Sequence, residues 1–231
     1  MSETKALTER PSPEPAIATL PSPPDPSGPG RLRAPPRGDG VASFFYRDAH
    51  FGADAVKVLP GEYFVHDEDL LVMTTLGSCI AACLWDREAR IGGMNHFMLP
   101  AGGGASPGAS GRYGAHAMEL LINAMLRRGA VRGRLEAKVF GGAQLMGGTS
   151  TLHIGERNTA FVLDYLQTER IPVVSRDVLG VVPRRVCYLP ASGKAMVKRL
   201  AGTTDEALLA QERTAAERAA RRAANGSVDL F

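Results

Sequence analysis

Cysteine is scarce in this chain of 231 residues, and the three that occur, Cys79, Cys83 and Cys187, form no CxxC pair. An odd number of cysteines without metal-site spacing excludes a disulfide scaffold and a zinc finger. No apolar run approaches the roughly 18 residues that a membrane helix requires, and no apolar signal core follows the first residues. We therefore expect a cytoplasmic protein, without membrane insertion, in which any reactive cysteine acts as a thiol.

A strong excess of charge is also lacking. The formal net charge is +3, with 22% charged and 44% hydrophobic residues, and much of the arginine lies in the two tails. Such a balance gives no case for nucleic acid as a partner. The length and the hydrophobic fraction are sufficient for one well-filled core.

Composition divides the chain into three parts. Residues 1–40 hold most of the prolines and almost no large apolar side chains, so we expect a disordered arm. Residues 41–202 carry the folded domain. Residues 203–231 begin with a capping box, Thr203 with Glu206, and continue rich in alanine, glutamate and arginine, which predicts a charged helical tail.

Within the domain, short strand patterns alternate with helical ones, which predicts the α+β class. The segment 80–85 is apolar throughout and is compatible with either a helix or a buried strand. A glycine-rich loop is expected over 101–111. Strands are predicted at 43–46, 56–58, 63–65, 70–75, 91–99, 135–140, 171–174 and 185–189, and helices at 115–128 and 158–168.

The most informative residues are Cys79, at the end of a predicted strand, and His96, on a later one. A thiol with a pKa of about 8.5 is only slightly ionised at neutral pH, so a nucleophilic cysteine needs a base such as imidazole beside it. Gly77 and Ser78 precede the cysteine, and a glycine turn at this point directs backbone N–H groups toward an oxyanion. The pair therefore predicts a thiol nucleophile with its base.

The other cysteines and histidines have blander interpretations. Cys83 and Cys187 lie inside apolar runs and are predicted to be small core residues. A single histidine on an apolar strand is usually a core residue too, and only the pairing with Cys79 favours catalysis for His96. The remaining histidines have no comparable setting and form no metal constellation: His50, His66, His116 and His153.

Short motifs between about residues 55 and 200 closely resemble the chemotaxis protein CheD family. Each motif is weak alone, but together they occur in the family's order and at about its spacing. They are Leu76-Gly77-Ser78-Cys79, the stretch from Gly92 to Pro100, Arg112-Tyr113, the stretch from Ala137 to Ala143, and Ile154-Gly155-Glu156-Arg157-Asn158.

The resemblance implies a chemoreceptor glutamine deamidase, that is, a protein-glutamine glutaminase in which Cys79 and His96 are catalytic. It implies no cofactor. The expected partners are methyl-accepting chemotaxis receptors as protein substrates and a CheC-type phosphatase. The expected fold has layered mixed β-sheets with flanking helices and is similar to that of the cysteine deamidases of the cytotoxic necrotizing factor type.

A third catalytic residue stays open between Thr74 and Thr75. The family has a threonine at the position that Met73 occupies here. Alternation along an ideal strand puts Thr75 on the side of Cys79, whereas a loop one residue shorter would bring Thr74 to the family position. Both threonines remain candidates, beside Gly77 and Ser78 as backbone oxyanion donors.

Two alternatives to an enzyme remain. A non-catalytic binding module would dock chemoreceptors or a CheC-type phosphatase, although the retention of both Cys79 and His96 argues against it. A purely structural domain would leave the glycine turn before Cys79 and the ordered motifs without an explanation. Replacing Cys79 discriminates between catalysis and docking, because docking survives the loss of the thiol.

Overall fold

The computed structural model describes residues 40–99, 107–144 and 154–200, and beyond these the single positions 210, 214 and 217. For residues 107–112 only the backbone is described. Almost all of the predicted arm and tail, and His153 with them, lie outside the described residues. No helix in the described part of the chain is long and apolar enough to cross a membrane.

Ten strands and two α-helices form the described fold, with a short 3-10 turn at Arg132–Arg134. The helices are α1 (Pro107–Arg127) and α2 (Ile154–Thr168). The strands are β1 (Phe44–Asp48), β2 (Ala53–Lys57), β3 (Tyr63–His66), β4 (Leu71–Leu76), β5 (Ile80–Asp86), β6 (Ile91–Asn95), β7 (Leu135–Gly141), β8 (Val173–Val178), β9 (Arg184–Leu189) and β10 (Lys194–Arg199).

The strands build two five-stranded mixed sheets. Sheet 1 has the order β1-β2-β4-β9-β10, and sheet 2 has the order β3-β6-β5-β7-β8. Parallel pairing joins β2 to β4 and β7 to β8, and the other neighbours are antiparallel. The predicted α+β class with layered mixed sheets and flanking helices is therefore confirmed.

The two sheets and the helices form layers. Successive residues of a strand point to opposite faces of its sheet, so each sheet can pack against a different layer on either side. One apolar cluster lies between the sheets and includes Val72 and Leu76 of β4, Val186 of β9, and Ala81 and Met94 of sheet 2. The other face of sheet 2 is covered by the helices, in a cluster that includes Ile80, Leu84, Leu121, Met125, Val162 and Leu166. Apart from its edge strand β8, which is largely exposed, sheet 2 is thus buried on both faces.

Several element boundaries differ from the predicted ones. The ambiguous segment 80–85 is strand β5. The strand predicted over 91–99 ends at Asn95, just before His96, and α2 begins at Ile154 rather than at residue 158. Helix α1 begins at Pro107, inside the predicted loop, since proline suits a first helical position while glycines hide the helical pattern. Strand β10 is missing from the prediction, because its charged residues lie on an exposed edge and show little alternation.

A glycine pair at the end of β7 lets two backbones approach each other closely. Gly141 and Gly142 have φ of 113° and 67°, values that side-chain-bearing residues rarely adopt. A Cβ added at Gly141 would lie 2.1 Å from the carbonyl oxygen of Cys79. The turn that contains Cys79 therefore packs against a surface that only glycine can form.

Gly141→Ala should destabilise the protein by about 2 kcal/mol or more, because the new Cβ adds a steric clash to a strained φ. The matched control is Gly133→Ala, since a Cβ at Gly133 meets no atom within 4 Å. Urea unfolding followed by circular dichroism measures both variants. Equal midpoints for the two variants would contradict the close approach at Gly141.

Candidate active site

Cys79 lies where the chain crosses from one sheet to the other. Strand β4 of sheet 1 ends at Leu76, a bend covers residues 77–79, and β5 of sheet 2 begins at Ile80. The side chain of Cys79 is fully buried and belongs to the apolar cluster between the sheets. The predicted nucleophile is therefore held at the junction of the two sheets.

Every carbonyl of this crossing bend accepts a hydrogen bond from the end of β7 or from α2. These hydrogen bonds anchor the bend on the side of β7 and α2 and determine the orientation of its peptide planes. The donors are the N–H of Ala143 to Gly77 O at 2.7 Å, Nδ2 of Asn158 to Ser78 O at 2.8 Å, and the N–H of Gly142 to Cys79 O at 2.8 Å.

His96 follows β6 and is placed by one further pair of ladder hydrogen bonds. Ile80 and Phe97 exchange two N–H···O bonds of 2.9 Å each, in the register that pairs Cys83 with Met94. By this register Cys79 and His96 are diagonal neighbours on the same face of sheet 2. Diagonal pairs on antiparallel strands lie about 7 Å apart at Cβ, within the reach of an imidazole.

Thr74 contacts His96 from the opposite sheet. The Thr74 hydroxyl lies 2.8 Å from Nδ1 of His96 and 2.8 Å from the carbonyl oxygen of Val58, and Nδ1 lies 3.3 Å from that same oxygen. Thr74 and His96 are only 2% and 3% exposed. A side chain of sheet 1 and a backbone carbonyl after β2 thus hold an imidazole of sheet 2.

Thr75 lies on the other face of β4. Val72 and Leu76 belong to the cluster between the sheets, whereas Met73 belongs to the cluster on the outer face of sheet 1. Thr75 shares the face of Met73 and is half-buried. The alternation argument for Thr75 required an ideal strand that continues to Cys79. In the structure the bend over 77–79 interrupts that strand. The geometry favours Thr74 as the residue beside His96.

The hydrogen bonds assign the tautomer of His96. The Val58 carbonyl can only accept, so the hydroxyl proton of Thr74 goes to it, and Thr74 must then accept the Nδ1–H of His96. A neutral imidazole carries one proton, so Nε2 has the free lone pair. Nε2 is buried and has no hydrogen-bond partner among the described residues, Cys79 included. His96 therefore presents an unoccupied basic nitrogen inside the protein.

Burial also keeps His96 neutral. Desolvation lowers the pKa of His96 to about 4, the hydrogen bond to Val58 opposes this shift, and the charge of Lys57 adds to it. At neutral pH the imidazole is therefore a base rather than a cation. A buried acceptor without a partner costs about 1–3 kcal/mol, so the unpaired Nε2 of a buried histidine requires an explanation.

The other cysteines and histidines lie elsewhere. Cys83 and Cys187 are buried, as predicted, and burial raises the pKa of Cys187 to about 12 and that of Cys83 further, so both remain thiols. His50 and His116 are exposed. His66 stacks on Phe64, with ring centroids 5.9 Å apart. None of these side chains joins the contacts that His96 makes with Thr74 and Val58.

Two groups of the site, the Val58 carbonyl and the Asn158 side chain, were not assigned a role from the sequence. The Val58 carbonyl carries no sequence signal, because a backbone group is independent of residue type. Asn158 does have one, since it precedes Val162 and Leu166 at helical spacing and is therefore a polar residue on the buried face of α2. Its amide contacts Ser78 directly.

Comparison with known proteins gives a consistent set of matches. The family model CheD, described as CheD chemotactic sensory transduction, matches residues 98–199. Probable chemoreceptor glutamine deamidase CheD 1 of Albidiferax ferrireducens is 60% identical over 202 residues, 87% of this chain and 86% of that protein. The protein of the same name from Dechloromonas aromatica is 48% identical over 192 residues, 83% of this chain and 96% of that protein.

Likeness to solved structures is much weaker. A Neisseria meningitidis protein described by the family model DUF152 has a TM-score of 0.31 and 14% identity over 51% of each chain. A Bacillus licheniformis hypothetical protein, YfiH, has a TM-score of 0.23 and 15% identity over 34% of this chain and 26% of that one. Neither similarity carries an argument about the site.

Nuclear magnetic resonance of ¹⁵N-labelled protein should find His96 as the Nδ1–H tautomer with a pKa of about 4. Because unfolded histidine binds a proton near pH 6.5 and the folded imidazole does not, the free energy of unfolding should fall as pH drops from about 6.5 to about 4. The loss attributable to His96 is at most about 3 kcal/mol. An Nε2–H tautomer, or titration near 6.5, would contradict this assignment.

Proposed function

The chain belongs to the CheD family, and we propose that it deamidates glutamine side chains of methyl-accepting chemoreceptors to glutamates, the activity for which its relatives are named. What carries the proposal in this chain is that Cys79 and His96 lie on one face of sheet 2, with the imidazole neutral and its Nε2 unoccupied. A thiol beside such a base is suited to acyl transfer from an amide.

In the first step the Cys79 thiol loses its proton to Nε2 of His96, and the sulfur attacks the side-chain amide carbon of the glutamine. The carbonyl π bond becomes an oxyanion, and a tetrahedral intermediate forms. The low pKa of His96 favours return of that proton, so the imidazolium readily gives it to the amide nitrogen. The C–N bond breaks, ammonia leaves, and a thioester remains on Cys79.

In the second step a water molecule attacks the thioester. His96, neutral again, takes a proton from the water as the C–O bond forms, and returns it to the sulfur as the C–S bond breaks. The products are a glutamate side chain and the original thiol. The net reaction consumes one water and releases one ammonia, and no redox step or cofactor enters it.

We place the oxyanion donors at the backbone N–H groups of Ser78 and Cys79 in the crossing bend, whereas the motif alone suggested Gly77 and Ser78. Support comes from the direction of the peptide planes, since the carbonyls of Gly77 and Ser78 point to β7 and α2. In a trans peptide the N–H points opposite to the C=O, so the two N–H groups point away from those anchors. Fixed donors of this kind are usually a large contribution to acyl-transfer catalysis.

Thr74 acts on the imidazole rather than on the substrate. Its hydroxyl accepts the Nδ1–H of His96 while donating to Val58, which fixes both the ring orientation and the tautomer. When Nε2 takes a proton, the same hydroxyl and the Val58 carbonyl face the positive ring. Thr74 is thus a positioning residue, and Thr75 has no part in the reaction.

Deamidation changes the receptor by one negative charge at each site. On a helical bundle, that charge alters repulsion between residues three or four positions apart, and the new carboxylate is a group that a methyltransferase can esterify. The reaction would therefore tune the signalling state of the receptor.

We also propose that the two-sheet fold is of the cytotoxic necrotizing factor type. The observation that supports this is the Cys–His pair beside the interface of two mixed sheets.

The second candidate is a docking module for a receptor helix or a CheC-type phosphatase. The state of His96 favours the deamidase over the docking module, because docking does not require a neutral buried imidazole with an unoccupied nitrogen.

Cys79→Ala should abolish conversion of glutamine to glutamate in a chemoreceptor cytoplasmic domain, because the thioester cannot form. The control is Cys83→Ala, which removes a buried thiol of the same cluster and should retain activity. Peptide mass spectrometry measures a gain of about 1 Da at each converted glutamine, the exchange of an amide for an acid. Receptor binding without conversion by the wild-type protein would support docking instead, and activity in Cys79→Ala would exclude the thiol mechanism.

Thr74→Val should lower kcat by roughly 10- to 100-fold, because a nearly isosteric side chain without a hydroxyl leaves the imidazole less well oriented. Thr74→Ser keeps the hydroxyl and should recover most of the activity. Thr75→Val is the matched control and should remain close to the wild type. The same receptor assay measures all three, and equal losses in Thr74→Val and Thr75→Val would contradict the role of Thr74.

A further inference from the structure

The peptide bond between Ser78 and Cys79 is anchored differently from its neighbours. The carbonyls of Gly77 and Cys79 are held by backbone N–H groups of Ala143 and Gly142. The carbonyl of Ser78 is held by a side chain, the amide of Asn158, at 2.8 Å. The carbonyl of the peptide whose N–H belongs to the nucleophile is thus held by a side chain, which a substitution can remove.

Asn158 is well placed for this task. It is fully buried, and its two amide atoms serve two backbone groups: Nδ2 donates to Ser78 O, and Oδ1 accepts the N–H of Leu99 at 2.9 Å. The assignment of the two atoms is unambiguous, because a carbonyl can only accept and an N–H can only donate. One amide therefore connects the bend that carries Cys79 with the segment that follows His96.

The helix that carries Asn158 has little freedom to move. A Cβ added at Gly155 would lie 2.4 Å from the carbonyl oxygen of Gly142, so the first turn of α2 packs directly on the end of β7. Further along the same face, Val162 and Leu166 are completely buried in the core. The amide of Asn158 is therefore held at a constant position relative to the crossing bend.

We propose that Asn158 is a positioning residue for the oxyanion donor, an inference that rests on the proposed deamidase activity. By holding the Ser78 carbonyl toward α2, it directs the N–H of Cys79 to the opposite side of the peptide plane. This direction determines whether that N–H reaches the oxygen of the tetrahedral intermediate. Asn158 does not touch the substrate and acts through the peptide of the nucleophile.

A buried asparagine can also serve stability alone, and Asn95 provides the comparison. It is 1% exposed, lies next to His96 in sequence, and bridges the N–H of Ala82 at 3.0 Å and the carbonyl of Ala117 at 3.1 Å. Its described hydrogen bonds reach no residue of the bend over 77–79. Asn95 thus matches Asn158 in burial and in hydrogen bonding while lacking the contact with Ser78.

The experiment compares Asn158→Asp with Asn95→Asp in the full chain. An aspartate at 158 can still accept the N–H of Leu99, but as a carboxylate it loses the donor and presents an oxygen to the Ser78 carbonyl. Two reactions are measured for each variant. The first is glutamine deamidation in a receptor cytoplasmic domain, with kcat and KM separated. The second is alkylation of Cys79 by iodoacetamide, located by peptide mass spectrometry.

The two reactions differ in their need for the oxyanion donor. Displacement of iodide by a thiolate develops no oxyanion, whereas attack on the glutamine amide does. Iodoacetamide and the glutamine side chain end in the same small amide group, so the two molecules are alike in the part that reaches Cys79. In Asn158→Asp, kcat should fall by about 10- to 100-fold, while KM and the alkylation rate change by less than about threefold. Asn95→Asp should keep the kcat of the wild type for its folded fraction.

A second variant keeps the test decisive if Asn158→Asp does not fold. Asn158→Ala removes the donor without adding a charge and should again lower kcat more than alkylation. Unchanged kcat in a folded Asn158 variant, or parallel loss of turnover and alkylation, would overturn the inference. A wild-type protein that is alkylated at Cys79 but converts no glutamine would instead refute the proposed function on which the inference rests.

Discussion

Two hydrogen bonds between Ile80 and Phe97 are the constraint on which the site depends. They extend the antiparallel ladder of β5 and β6 by one bridge beyond Asn95. Because side chains alternate along strands, this bridge puts Ile80 and Phe97 on the helix side of sheet 2 and Cys79 and His96 on the side of sheet 1. A slip of one residue would move His96 away from both Thr74 and Cys79.

The site combines this register with a contact between sheets. Sheet 2 supplies the thiol and the imidazole, and sheet 1 supplies the hydroxyl of Thr74 that orients the ring. The space between the sheets is apolar, which keeps His96 neutral and leaves Nε2 without a partner among the described residues. The packing that stabilises the sandwich is thus also what keeps the imidazole deprotonated at neutral pH.

The sequence was sufficient for the α+β class, for most strands and for the candidate pair Cys79 and His96, because each depends on local pattern or on a recognisable motif. It left Thr74 and Thr75 undecided, since the choice depends on where β4 stops alternating, and that is determined by pairing with β9. It provided no role for the Val58 carbonyl, which any residue at that position would supply. Asn158 stood in a motif and on an apolar helical face, but its contact with Ser78 is a property of the tertiary fold.

The anchoring of the crossing bend has a consequence for the time at which the protein acquires its site. The groups that hold residues 77–79 come from Gly142, Ala143 and Asn158, and β4 pairs with β9, more than one hundred positions further along the chain. Contacts of such large sequence separation form slowly, because the loop-closure entropy must be overcome before they stabilise anything. During synthesis, Cys79 leaves the ribosome long before the segments that anchor its bend. The nascent chain therefore carries the proposed nucleophile in a bend that is not yet anchored, and the arrangement of the site arises only as the domain closes.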